Sequence, residues 1–232
     1  VEGGFGEEKG GTYMKVELTD WNTRGGKKLK KILSVCRDKE CTLQTVYQCL
    51  KARPVPHMSI LEHTWFEFLV EGLSIKARIQ LLRHRLFREE DWTTMERSTR
   101  HINMSQAEFI YPATAKNKEI FREAYRAART WYEKAIAEGE SEEDAAYILP
   151  LATETKFYLA ANGRVWFEYL YKRLCKNHVQ DEHYKMAVKI LKELVLHLDM
   201  YDGTGSLFKK AIPCELCKKC REVEKVAEIF ES

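Results

Sequence analysis

Two short runs of cationic and hydroxyl side chains concentrate the chemistry of this sequence: Arg83-His84-Arg85 and, after a loop, Glu96-Arg97-Ser98-Thr99-Arg100-His101. A guanidinium presents a planar fork of donors and a Ser hydroxyl adds one more, so the two runs together suit a phosphate. Gln80, Arg83 and His84 stand at i, i+3 and i+4, a spacing that on a helix turns their polar ends toward one ligand. Taken alone, an Arg-His-Arg run is more often a solvated helix face paired with Glu than an anion site. A separate pattern lies near the end, where Cys214, Cys217 and Cys220 follow Pro213 at metal-ligand spacing. Three soft ligands could hold zinc or an iron–sulfur cluster if Cys175, Cys36, Cys41 or a neighbouring subunit supplied a fourth. The same segment sets Leu216, Cys220, Val223, Ala227 and Phe230 on a helical apolar stripe, in which Cys acts as a small hydrophobe. The expectation is therefore no metal, with these three cysteines as the candidates if one binds.

The elements that must position these runs are legible from periodicity. Val16 and Leu18 alternate with charged residues between Met14 and Trp21, the signature of an edge strand. Leu29, Ile32, Leu33 and Cys36 predict a helix, and Leu43, Val46, Tyr47 and Leu50 predict another behind Thr42 as cap. Pro54 and Pro56 break the chain before His57 to His63. Phe66, Phe68 and Val70 mark a buried strand from Thr64 to Glu71 that Gly72 ends, and Ser74 caps a helix with Ile75, Ile79, Leu82 and Leu86 as its apolar stripe. A long helix is predicted from about Lys116 to Glu138 on Ile120, Ala124, Ala128, Trp131 and Ala135, stopped by Gly139, and a short one from Ser141 to Tyr147. Thr155, Phe157, Leu159 and Ala161 alternate as a strand, Asn162-Gly163 turns, and Arg164 to Leu174 reads as a helix. Ala187, Ile190, Leu191, Leu194 and Leu198 define the last stripe. Together these give an α+β fold, a central mixed or antiparallel sheet flanked by helices.

Composition narrows the function classes. Lys and Arg number 38 against 35 Asp and Glu, a net +3 too balanced to argue for a nucleic-acid or membrane-surface partner. Any anion site is then local. The 232 residues suffice for one large domain, expected over 14–212, with residues 1–13 as a flexible arm or tag and 213–232 as a Cys-containing helix. The glycine-rich, acidic start lacks the apolar core of a signal peptide, and no apolar run reaches the roughly 18 residues of a membrane span. Seven Cys without a secretory signal favour a reducing, cytoplasmic setting.

The motifs PHMSILEH, FLVEGLS, QLLRHR, ERSTRH, ILPLATETK and NGR with a downstream Arg173 occur in one order. That order resembles the flavin-dependent thymidylate synthase family over roughly residues 14 to 198, and ordered motifs are far more specific than any one of them. The resemblance implies FAD contacts from Ser59, Arg83, His84, Arg85, Glu96, Asn162, Arg164 and His178. It implies pyrimidine-nucleotide contacts from Gln80, Arg97, Ser98, Arg100 and Arg173, with Arg173 the residue that stabilises charge on the uracil carbonyl, and His57 near the folate. The implied reaction is methylation of dUMP to dTMP through FAD, with NADPH and methylenetetrahydrofolate as co-substrates, in a homotetramer with shared active sites.

Some residues depart from the family pattern. Leu86 to Arg97 is 12 residues long where about seven are usual. Ala146 stands where an Arg normally contacts the nucleotide, and Glu168 stands where Asn is frequent on the flavin side. These departures keep two other readings open: a paralogous flavoenzyme acting on a different pyrimidine nucleotide, and an inactive flavin- or nucleotide-binding module.

Overall fold

The computed structural model describes residues 14–22, 26–51, 57–83, 92–175 and 178–202. Strands β1 (Lys15–Trp21), β2 (Trp65–Ser74), β3 (Trp92–Glu96) and β4 (Glu154–Asn162) form one sheet in the order β1-β2-β4-β3, antiparallel at every pairing. The fold is α+β, as the residue pattern predicts, and β1 is the expected edge strand. Helices α1 (Gly26–Arg37), α2 (Leu43–Lys51) and α3 (Ser59–Glu62) lie between β1 and β2, and α4 (Ile75–Leu82) follows β2 directly. Between β3 and β4 come α5 (Lys118–Ala137), α6 (Glu142–Ala145) and a 3₁₀ turn, Ala146–Ile148; α7 (Gly163–Arg173) and α8 (Asp181–Asp202) complete the order.

The core forms where the inner face of the sheet meets the closing helices. Val16, Leu18, Phe66, Phe68, Val70, Phe157 and Leu159 point inward at alternate positions. Trp166 of α7 meets Phe68 edge-on at 4.8 Å and donates its indole N–H to the Phe66 carbonyl, so both its apolar body and its polar tip are satisfied. Ala187, Ile190, Leu191 and Leu194 of α8 are buried, as their spacing predicts; the Leu198 side chain lies outside the described residues. Each large side chain buried here contributes about 1.5–3 kcal/mol, which fixes α7 and α8 to the sheet.

The structure corrects four expectations. Gly72 does not end β2: at φ +78° it occupies the bulge between Glu71 and Leu73, a conformation open to glycine, and the strand continues to Ser74. Part of the long loop before Ser98 is a strand, since Trp92 to Glu96 pair with β4 through Met95 opposite Tyr158 and Glu96 opposite Phe157. The charged run before it hides the signal. On α4, Ala77, Arg78 and Leu81 face inward while Ile79 and Leu82 are 43% and 44% exposed, because the capped junction at Ser74 sets the rotation of the helix. On α5, Tyr125 and Tyr132 are buried instead of Ile120 and Trp131, and the Tyr132 hydroxyl accepts the Met104 N–H. Gly139, at φ +95°, closes α5 as expected, with its N–H on the Ile136 carbonyl. No described helix is long and apolar enough to cross a membrane.

Candidate active site

Two strands pass into helices without a loop: β2 into α4 and β4 into α7. Because β2 and β4 are antiparallel, with Ser74 opposite Glu154 and Trp65 opposite Asn162, the junctions stand at opposite ends of the sheet. At about 3.3 Å per residue they are roughly 30 Å apart. The candidate residues divide between these ends.

At the first end Ser74 caps α4, its hydroxyl oxygen accepting the Ala77 N–H at 3.0 Å. The carboxylate of Glu182, in the first turn of α8, accepts both the Ser74 N–H at 2.7 Å and the Ser74 hydroxyl at 2.9 Å, and Gln180 donates to it at 3.0 Å. α4 then presents Gln80 and Arg83 to solvent. β3 ends at the same end of the sheet: the Glu96 carboxylate accepts from the Thr155 hydroxyl at 2.9 Å and pairs with Arg78 at 3.5 Å. Arg97 donates its N–H to the Lys156 carbonyl, and its guanidinium reaches the Glu154 carbonyl and, at 3.6 Å, the Glu154 carboxylate. Burial pushes the Glu154 carboxyl above the usual range, opposed by Arg97 and reinforced by Glu108 and Glu71. The Ser98 hydroxyl accepts the Arg100 N–H at 3.1 Å, and the Arg100 side chain pairs with Glu143 of α6 at 2.9 Å.

α7 runs back from the second end, so Arg173 in its last turn lies toward the first, where α8 docks on Ser74. The Arg173 guanidinium is half-buried and its Nε has no hydrogen-bond partner among the described residues. Burial lowers its proton affinity from the ordinary value, and Tyr169 opposes that shift. His178 follows, exposed, with its N–H on the Cys175 carbonyl.

The second end holds Ser59, exposed at the start of α3, and Asn162, whose side chain caps α7 by accepting the Val165 N–H at 3.0 Å. Gly163 donates to the Thr64 carbonyl at 3.0 Å, and a Cβ on it would stand 2.1 Å from the Thr64 hydroxyl oxygen. Only glycine fits there. Arg164 is held by two carboxylates, Glu62 at 2.5 Å and Glu168 at 3.0 Å. Those hydrogen bonds, Glu62 first, make its proton harder to remove.

One protomer therefore carries Gln80, Arg83, Glu96, Arg97, Ser98 and Arg100 on segments that leave one end of the sheet, with Arg173 and His178 toward that end, and Ser59, Asn162 and Arg164 at the other. His84, Arg85, Cys214, Cys217 and Cys220 lie outside the described residues. Among those described, no cluster of three or more His, Cys, Asp or Glu could hold a metal. Residue patterning missed Arg78, Glu143 and Glu182.

The family model described as thymidylate synthase complementing protein matches residues 16–197. The chain belongs to that family. Among curated relatives, the flavin-dependent thymidylate synthase of Geobacter sulfurreducens is 32% identical over 148 residues, 61% of each chain. That of Sulfurisphaera tokodaii is 34% identical over 140 residues, 60% of this chain and 53% of its own. The match thus spans little more than half the length of these relatives. That of Clostridium tetani is 31% identical over 197 residues, 73% of this chain and 76% of its own. Two solved structures share the fold of this thymidylate synthase complementing family member. Thymidylate synthase X of Helicobacter pylori, solved with FAD and dUMP, superposes with a TM-score of 0.66 at 17% identity, over 82% of this chain and 98% of its own. The UMP/dUMP methylase PolB of Streptomyces cacaoi, bound with 5-Br dUMP, superposes at 0.62 with 20% identity, over 86% and 96%.

Proposed function

We propose that the protein methylates dUMP to dTMP with FAD, taking the one-carbon unit from methylenetetrahydrofolate and reducing equivalents from NADPH. The observation that supports this reading is that the segments bearing Gln80 and Arg83 and bearing Ser98 and Arg100 leave the same end of the sheet, on a chain that matches the family from residue 16 to 197. The donors there fit an anionic nucleotide. Among the described residues, Arg83 is exposed with no ion-pair partner and the buried Arg173 Nε lacks an acceptor. Ser98 and Arg100 take the phosphate, Gln80 the base, and Arg173 the charge that develops on the uracil carbonyl. Arg97, committed to Glu154, fixes the chain path to Ser98.

The flavin contacts are assigned to Ser59, Arg83, His84, Arg85, Glu96, Asn162, Arg164 and His178. Asn162 and Arg164 fit as neutral and cationic donors, since Arg164 keeps its Nη2 edge beyond the two carboxylates it already engages. Bound FAD supplies the redox and group-transfer chemistry, and the protein supplies orientation and charge. With these residues split between two ends of one protomer, a complete site draws on neighbouring copies in a cytoplasmic homotetramer. Exposed Ile79, Leu82, Met95 and Tyr158 offer the apolar surface for such contacts.

The test is spectroscopic. Purified protein incubated with FAD is expected to turn yellow, and its reduced flavin to reoxidise on adding dUMP with methylenetetrahydrofolate. Protein that stays colourless, or a reduced flavin indifferent to dUMP, refutes the reading.

A further inference from the structure

Arg78 stands outside the motifs quoted above, yet it is the most completely enclosed Lys or Arg of the described residues, with only 3% of its surface exposed. Charged side chains reach that burial when something specific holds them. Here the guanidinium lies 4.9 Å above the Phe157 ring, its Nη2 donates to the Thr94 hydroxyl oxygen at 3.1 Å, and its Nε faces the Glu96 carboxylate at 3.5 Å. Thr94 passes its own proton to the Tyr158 carbonyl at 2.8 Å, and Glu96 accepts from Thr155 at 2.9 Å. Every one of these partners is on β3 or β4. Arg78 itself is on α4, between the Ser74 cap and Gln80.

We propose that Arg78 is a positioning residue that clamps β3 to α4 and so sets Ser98 and Arg100 against Gln80 and Arg83. The reasoning is topological. β3 is an edge strand of five residues, paired on one side only, and it lies within the lengthened segment Leu86 to Arg97. An edge strand this short has few ladder bonds to hold its register. Ser98 lies two residues beyond its end, so slippage there carries directly to the nucleotide side. Arg78 supplies the missing anchor from the helix that bears the other half of the site. Its Nε and Nη1 have no hydrogen bond among the described residues, where the clamp rests on Thr94, the Glu96 charge and the Phe157 face. A lysine, a point charge on a flexible stem, cannot engage all three. This inference rests on the nucleotide reading above only for its consequence, since the clamp itself is a statement about β3.

Two readouts separate the clamp from that reading. In Arg78→Met, amide hydrogen exchange across residues 92–100 is expected to quicken about tenfold or more while β1 and β2 amides keep their rates. In the FAD-loaded protein the dUMP dissociation constant is expected to rise about tenfold, with KM following it more than kcat. Arg78→Lys should fall between parent and Met in both. Unchanged exchange over 92–100 in either variant overturns the clamp. Quickened exchange with dUMP affinity within about twofold of the parent overturns its link to the site. If Arg78→Met does not fold, Arg78→Lys decides by the same two measurements. A parent that binds no dUMP overturns the nucleotide reading alone, because exchange over 92–100 still tests the clamp.

Discussion

The two ends of the sheet are built alike, a strand entering a capped helix with no loop between, yet they carry charge in opposite ways. At the Ser74 end, among the described residues, Arg83 has no carboxylate partner, Arg100 has one, and Arg173 is half-buried with an Nε lacking an acceptor. At the Asn162 end Arg164 alone faces Glu62 and Glu168. An anion approaching the first end meets an exposed Arg83 and an Arg173 that burial already penalises. An anion approaching the second must share a guanidinium with two carboxylates in place. On the proposed reading, the first end receives a phosphate with this chain's own residues, whereas the second would be completed by cations from another copy of the proposed homotetramer. That difference explains how one family pattern can divide its residues between places roughly 30 Å apart.

The sharpest separation of the ends is Arg173→Ala. Turnover is expected to fall by about 10²–10³ or more, as when a donor to developing negative charge is removed, while FAD stays bound. Steady-state kinetics with a flavin absorbance spectrum measure both. Equal loss of flavin and turnover would place Arg173 with the second end. Gly163→Ala acts on the second end alone. The new Cβ would meet the Thr64 hydroxyl at 2.1 Å and the Leu61 carbonyl at 3.0 Å, neither of which can yield without moving the α3–β2 connection. The expected cost is about 2–3 kcal/mol in urea unfolding, with FAD affinity reduced and exchange over 92–100 unaltered. A loss under about 1 kcal/mol would show that the junction is compliant and not a fixed seat for Arg164.

The parts of this arrangement legible in sequence are those fixed by local rules. Ser74 and Asn162 read as a cap and a turn, and the structure makes both of them helix caps. The inward faces of β2, β4 and α8 follow from period two and period 3.6. What escaped was set by distant partners. The rotation of α4, which buries Arg78 and exposes Ile79, depends on a junction held by Glu182, 108 residues away. β3 exists because Trp92 to Glu96 find β4, a pairing no window of the sequence contains. Glu168 read as a misplaced anion, and it lies one helical turn from Arg164 as its partner.

At the first end, Ala146→Arg tests whether the missing guanidinium matters. Position 146 opens the 3₁₀ turn after α6, three residues from the Glu143 that holds Arg100. A new cation there can engage the phosphate or draw Glu143 away from Arg100, and either route strengthens binding. An affinity gain of about tenfold for dUMP over UMP and dCMP is expected in titrations of the FAD-loaded protein. No gain, with dUMP already bound below micromolar, would mean that Arg83 and Arg100 suffice.

The smallest expected effect falls on Glu168→Asn at the second end. Glu168 lies four residues after Arg164 on α7, with its side chain about a third exposed, so solvent screens much of its field. Its loss leaves Arg164 oriented by Glu62, which reaches it from α3, and removes one negative charge from the path of an anionic dinucleotide. Helix α7 should tolerate the change, since Asn162 still caps it and Trp166 still anchors it to Phe66. FAD should bind about threefold to fivefold more tightly, a gain of roughly 0.5–1 kcal/mol that shrinks with added salt, read from quenching of flavin fluorescence. Unchanged dUMP affinity in the same variant would confirm that the two ends act separately. Weaker FAD binding would reverse the assignment: Glu168 would then be the group that aims Arg164, and the paired carboxylates would be part of the flavin seat instead of a competitor for it.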